Sequence, residues 1–335
     1  MSTSYEPLIR LYKLESTRTS AVYASGLWID GNAMSRLEKD LSEYLGVKHV
    51  ILTNSGTSAL LAAYWVLKSR FATVNVDPYT FPATYQPARL LNYDVKFIRN
   101  ILNEPIKIMS EGLNVITHLF GQPNRLLDTK AQNFIEDACQ SFGAEFEGKK
   151  VGTFGLMGCF SFYPTKSLHT CGHGGALVTN DAELYHKAKG FTESGRVNGV
   201  MTDTIALNLR MDEIKAEFLV EELKSYDENM GNQRRIAQQF INVIPKPQPF
   251  LSERNGDRHV YSVFNLMVDD RNKFRAFFDA KGIETAIYYD TNMLPLAQRA
   301  NYNDITDHIV SIPCRYSLTS KEVDRLLTAL QEWYK

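Results

Sequence analysis

The 335-residue chain is poor in cysteine, with four in all (Cys139, Cys159, Cys171 and Cys314) and no two in C-x-x-C spacing. Disulfide scaffolds and structural zinc sites need more thiols or paired ones, so both frameworks are excluded and four reduced thiols are expected. An excess of charge is missing too. The 37 Lys and Arg stand against 38 Asp and Glu, a net charge of −1, which removes the broad positive field that draws a protein onto duplex nucleic acid. A local phosphate site is compatible with that balance. Long apolar runs are absent: stretches such as Ser58 to Leu67 fall well short of the roughly 18 residues of a membrane-crossing helix. The opening MSTSYEPLIRLYKLESTRTS has no apolar h-region and no small-residue cleavage site, so the expectation is a cytoplasmic protein without a membrane partner. Repeats and low-complexity segments are lacking as well.

What is present reads as an ordinary globular chain, with enough length for two domains at about 150 residues each. Met34, Leu37, Leu41, Tyr44 and Leu45 recur at helical spacing and stop at Gly46. The run HVILT then reads as a buried strand, and NSGTSALLAAYWVLKS as a tight turn opening a long apolar helix. The unit recurs in VNVDPYTFPATYQPARLL, and NVITHLFG and NFIEDACQSFG each read as a short strand ending in polar residues. LMGCFSFY and GGALVTND are predicted strands around the connection YPTKSLHTCGHG. A polar helix is predicted from about Met211 to Gln239. HVYSVFNLMV, RNKFRAFFDAKG and IETAIYY then spell strand, helix, strand, and a final helix opens on the capping-box pair Thr319 and Glu322, ahead of Val323, Leu326, Leu327 and Leu330. The expected architecture is α/β: a large domain over residues 1–225, with a smaller α+β domain over 226–335.

Three pieces carry candidate chemistry. NSGTSA sits where a strand passes into a helix; Gly56 permits close backbone approach, and the amides of Thr57 and Ser58 would face a phosphate. An ordinary capped turn is the plainer reading. Asp137 ends the strand NFIED, at the carboxyl edge where open α/β sheets bind ligands, and would hold a cation there; a surface cap is the commoner role. Lys166 lies in a Gly- and aromatic-rich connection where an amine can be desolvated and nucleophilic, although most loop lysines are solvated. The spacing of His169, Cys171 and His173 invites a metal reading, but no further ligand cluster accompanies it, and no metal is expected. A phosphate cradle, a cation-holding carboxylate and an amine nucleophile in chain order are together what pyridoxal 5′-phosphate requires.

Over nearly its whole length the chain resembles the DegT/DnrJ/EryC1/StrS sugar aminotransferases, pyridoxal-phosphate enzymes of transferase fold type I. The resemblance runs from RLEKDLSEYLGVKHVILTNSGTSAL through YTFPAT, THLFGQP, IEDACQSFGAEFEGKKVGTFG, CFSFYPTKSLHTCGHGGALVTND and NLRMDEIKAE to IPCRYSLTSKEVDRLL. It implies a large α/β domain with a mixed, mostly parallel sheet. By position, the cofactor-bearing lysine matches Lys166, the carboxylate at the ring nitrogen Asp137, the residue near the phenolic oxygen Gln140 and the stacking aromatic Phe81. Phosphate contacts match Gly56, Thr57, Ser58 and Ser161, and an asparagine reaching the neighbouring subunit's phosphate matches Asn208, which implies a homodimer with shared sites. The implied reaction moves the amino group of L-glutamate to a nucleotide-linked keto-deoxy sugar, with C4 taken as acceptor ahead of C3, for polysaccharide or glycoside biosynthesis. A keto-cyclitol acceptor and a non-catalytic regulatory protein are the alternatives; family members that act as dehydratases carry histidine in place of the lysine. The chain departs from the family in having His173 where an acidic residue is usual, in Pro82 after Phe81, and in three short connections: before VNVDPYTF, between FIRN and NVITHLFG, and between FGQPNRLL and NFIEDA.

Overall fold

A computed structural model describes residues 8–11, 21–29, 31–100, 108–125, 131–197 and 200–335. The short connections around 101–107 and 126–130 fall outside the described residues. Seven strands form the main sheet: β1 His49–Thr53, β2 Thr73–Val76, β3 Asp94–Phe97, β4 Leu113–Thr117, β5 Phe134–Asp137, β6 Gly158–Ser161 and β7 Gly175–Thr179. Their order is β1-β7-β6-β5-β4-β2-β3. The pairs from β6 across to β3 are parallel, and β7 alone opposes both of its neighbours. The sheet is therefore mixed and mostly parallel, as the resemblance implies.

Helices cover both faces, which is why β4, β5 and β7 are buried at every position. Side chains alternate between the faces along each strand. Val50 and Leu52 of β1 and Ala176 and Val178 of β7 join α1 (Asn32–Leu45). Ile51 and Leu177, one residue out of phase, pack with α2 (Gly56–Leu67) and α3 (Ala182–Thr192). Helix α1 stops where the sequence predicts, at Gly46 in the left-handed conformation, φ +68°.

The predicted helix from Met211 to Gln239 is two helices, α4 (Glu213–Lys224) and α5 (Tyr226–Val243), separated at Ser225. The break turns Tyr226 into the large core, where its hydroxyl donates to the Phe142 carbonyl and lies 3.2 Å from Ser167 Oγ. Helix α5 then bridges two cores: Tyr226 and Met230 belong to the first, Ala237 and Phe240 to a second. That second core lies between the antiparallel strands β8 (Phe264–Met267) and β9 (Ile309–Ile312) and the helices α6 (Arg271–Ala280) and α7 (Ser320–Trp333). Thr319 and Glu322 form the predicted capping box of α7.

Two predicted strands are corrected. HVYSVFNLMV contributes only Phe264–Met267 to a ladder, because Val260 and Val263 donate instead to the carbonyls of Gly121 and Phe120 in the large domain. IETAIYY joins no ladder and forms two isolated bridges, Ile283 with Ile9 and Ala286 with Ser311. Its last residues turn away because Tyr79 Oη donates to the Tyr288 carbonyl and accepts the Tyr289 amide. We propose the break at Ser225 as the domain boundary, with Ile9 joining the smaller core.

Candidate functional site

The carboxyl ends of β1, β2, β4, β5 and β6 open on one edge of the sheet, together with the start of β7. There the Asn54–Ser55 turn carries β1 into α2. Ser55 caps that helix by accepting the Ser58 amide at 3.1 Å, and Ser58 Oγ donates to Asn54 Oδ1 at 2.6 Å. Of the amides expected to face a phosphate, that of Ser58 is thus used by the cap. Gly56 and Thr57, in the first turn of α2, have amides with no intrahelical acceptor. Close packing demands both glycines of this corner. A Cβ on Gly56 would lie 2.8 Å from Cys139 Sγ and from Ser161 Cβ, and one on Gly175 would lie 2.4 Å from the Ser55 carbonyl carbon. The turn therefore sits against β6 and β7 with Ser161 at its side, a cradle suited to a small anion at a helix N-terminus.

Asp137 closes β5 and is buried. Its Oδ1 accepts the Cys139 amide at 3.1 Å and its Oδ2 the Thr84 hydroxyl at 2.7 Å. Gln140, one turn on, accepts the Phe120 amide at 2.8 Å through Oε1 and donates through Nε2 to the Tyr289 hydroxyl. Lys166 follows β6 in a turn closed by its own amide on the Tyr163 carbonyl, 2.8 Å. Burial of its amine lowers its proton affinity below the ordinary lysine value, while the Asp137 carboxylate pulls it partly back. Burial pushes the Cys139 thiol well up, so that it stays protonated beside them. Phe81, more than half exposed, leans toward Tyr289 with ring centroids 6.4 Å apart.

Lys166, Asp137, Gln140, Gly56, Thr57, Ser58, Ser161 and Phe81 thus gather at this edge. Asn208 is exposed on the segment beyond α3, whose neighbour Leu209 accepts the Asn54 amide at 2.7 Å. His169, Cys171 and His173 do not converge: the His169 ring faces Phe218, the exposed His173 ring faces Tyr163, and Cys171 is exposed. Among the described residues no three His, Cys, Asp or Glu side chains are grouped to hold a metal, and no helix is long and apolar enough to cross a membrane. Two participants carry no signal in the sequence. Thr84 sits in YTFPAT with nothing to distinguish its hydroxyl from that of any turn threonine, and Tyr289 sits in the stretch predicted as a strand.

The donor set fits pyridoxal 5′-phosphate. Amides and a hydroxyl at a helix start suit its phosphate, a buried acceptor-only carboxylate suits its ring nitrogen, and a desolvated amine suits its aldehyde. The comparisons with known proteins agree. The model of the DegT/DnrJ/EryC1/StrS aminotransferase family matches residues 11–331. Among curated relatives, the UDP-N-acetyl-3-dehydro-alpha-D-glucosamine 3-aminotransferase of Acidithiobacillus ferrooxidans is 29% identical over 91% of this chain and 89% of its own length. The UDP-4-amino-4,6-dideoxy-N-acetyl-beta-L-altrosamine transaminase of Campylobacter jejuni is 27% identical over 90% of this chain and 91% of its own. Among solved structures, a DegT DnrJ EryC1 StrS aminotransferase from Brucella abortus superposes with a TM-score of 0.81 at 27% identity, covering 93% of each chain.

Proposed function

Because the chain belongs to the DegT/DnrJ/EryC1/StrS aminotransferase family, whose aminotransferases depend on pyridoxal 5′-phosphate, we propose that it transfers the amino group of L-glutamate to a ketone at C3 or C4 of a nucleotide-linked deoxy sugar. The two named relatives divide between those ring positions, so the preference for C4 drawn from the resemblance has no support from them. The product would be an amino sugar for polysaccharide or glycoside assembly. The observation that carries the reading is the meeting of a desolvated Lys166 with the buried, doubly hydrogen-bonded Asp137 above the Gly56 cradle.

Bound there, the cofactor supplies an electron sink conjugated to the substrate's reacting carbon. The residues do the rest. Gly56, Thr57 and Ser161 would hold the phosphate, and Phe81 would cover a face of the ring. Gln140 would serve the phenolic oxygen. Asp137 would keep the ring nitrogen protonated, which sets how well the ring accepts electrons. Lys166, lowered in proton affinity by burial, takes a proton from one carbon and returns it to the next as base and then acid. The cleft beside Lys166 is lined by Arg315 and Tyr316, and Arg315 also pairs with Glu322 at 3.4 Å.

The reading extends to a homodimer. Val200, Met201, Ile205 and Leu207 are exposed apolar side chains on the segment that carries Asn208, and a second copy covering them would receive Asn208 at its own cradle. Sedimentation of the holoenzyme tests this; a fully active monomer would remove it. The reaction is tested by supplying glutamate with UDP- and dTDP-linked 3-keto and 4-keto sugars and keto-cyclitols, and following 2-oxoglutarate. Turnover of a nucleotide sugar is expected, and borohydride should fix a pyridoxyl group on Lys166, with both lost in Lys166→Ala. A pyridoxyl group on another lysine overturns the site, and turnover of cyclitols alone overturns the substrate class.

A further inference from the structure

We propose that the hydroxyls of Thr80 and Thr84 form a relay that fixes Asp137 for its ring-nitrogen contact and ties its position to that of Phe81; this rests on the reading of Asp137 given above. All three residues are nine-tenths or more buried, at 2%, 1% and 5% exposure. Thr80 Oγ1 lies 2.8 Å from Thr84 Oγ1, and Thr84 Oγ1 lies 2.7 Å from Asp137 Oδ2.

The direction of both protons follows from valence. An ionised carboxylate only accepts, so Thr84 spends its single hydroxyl proton on Asp137. The contact between the threonines then runs from the Thr80 hydroxyl to the Thr84 oxygen. Two aligned O–H dipoles point at the carboxylate, each polarising the next in a water-poor interior. With Cys139 donating to Oδ1, both oxygens are anchored and the plane of the carboxylate is set.

The same turn presents Phe81. Pro82 opens the 3-10 turn Pro82–Thr84, the Thr84 amide donates to the Phe81 carbonyl at 3.0 Å, and the Tyr64 hydroxyl donates to the Thr84 carbonyl at 2.5 Å. The exposed Phe81 is therefore flanked by a buried, hydrogen-bonded base. Asp137 addresses the edge of a ring and Phe81 its face, and one pair of hydroxyls holds both. Thr80 and Thr84 are positioning residues, acting through Asp137 and the Phe81 turn.

The test compares Thr84→Val, which keeps the shape and loses the donor, with Thr84→Ser and Thr80→Val. The readouts are the dissociation constant of pyridoxal 5′-phosphate from the apoprotein, the pH at which the bound cofactor's visible absorbance changes, and kcat against KM. Thr84→Val should weaken cofactor binding about tenfold, the size expected for losing a charge-assisted hydrogen bond. It should also move the absorbance titration and lower kcat more than it raises KM. Thr84→Ser should restore all three to within about twofold, with Thr80→Val falling between. If Thr84→Val does not fold, Thr80→Val decides on the same readouts. Unchanged affinity and titration in the valine variants, with both lost in Asp137→Asn, overturn the relay and leave the role of Asp137 standing. If Asp137→Asn is also unchanged, the reading of Asp137 falls and the relay with it.

Discussion

Adjacent carboxylates on β5 have opposite duties. Asp137 is held by two donors at the open edge of the site, whereas Glu136, fully buried, is saturated. It accepts the amides of Gly152, Phe154 and Gly155 at 2.6, 2.6 and 2.8 Å, and its Oε2 lies 3.0 Å from His118 Nε2. His118 Nδ1 accepts the Asn124 amide at 3.0 Å, so the ring proton sits on Nε2 and is donated to Glu136. Glu136 is thus a strut that folds the 152–155 loop against the strand carrying Asp137. Glu136→Gln keeps the volume but turns an amide N–H₂ toward groups that are themselves donors. It should destabilise the apoprotein by about 3–5 kcal/mol, as breaking a buried charged network does. Urea unfolding measures this; a loss below about 1 kcal/mol would show that the loop does not depend on the carboxylate.

At the scale of elements, the sequence is legible wherever a residue's neighbours lie close along the chain. The α1 stripe, its Gly46 stop and the Thr319–Glu322 cap are all written within one or two turns of helix, and each is found as read. The polar residues at the ends of β1, β5 and β6 are legible for a related reason: an open α/β sheet collects its ligands at that edge whatever the rest of the chain does. What the pattern does not carry is which distant surface a side chain will choose. Tyr226 fits a helical stripe equally well in one helix or two, and its hydrogen bond to Phe142, 84 residues away, decides for two. IETAIYY alternates like a strand, yet Tyr79, more than 200 residues earlier, takes the backbone of Tyr288 and Tyr289. Thr84 was hidden similarly, since its importance lies in meeting Asp137, 53 residues on. The sequence displays the candidate site as separate motifs, and the long-range hydroxyl bonds that assemble it leave no mark in local spacing.

At the scale of the molecule, those bonds join the two domains around one buried aromatic cluster, in which Tyr79 and Phe120 of the large domain meet Phe250, Tyr289 and Tyr302. Asp77, just past β2, anchors it. Its carboxylate accepts the Tyr79 amide at 2.7 Å, the Asn100 amide, and the Tyr302 hydroxyl at 2.8 Å. Arg99 stacks its guanidinium 4.9 Å over the Tyr302 ring and pairs with Asp304 at 2.6 Å, closing the outer side of the contact. Burial outweighs the three hydrogen bonds and the nearby Arg99, raising the Asp77 pKa from 3.8 to about 6. The folded state then holds this proton across the window from about pH 4 to 6, where the unfolded chain has released it. Stability from this group is therefore full below the unfolded pKa and lost as pH rises through 6, by about 3 kcal/mol for a shift of roughly two units. Asp77→Asn cannot titrate and should lack that slope, so the variant gains on the wild type between pH 4 and 7. Urea unfolding of the apoproteins across that range reads the difference directly. A gap constant to within about 0.5 kcal/mol would mean that Asp77 titrates as it does in the unfolded chain. The join between the domains would then be carried by the aromatic cluster, with the carboxylate serving only as an acceptor for Tyr302.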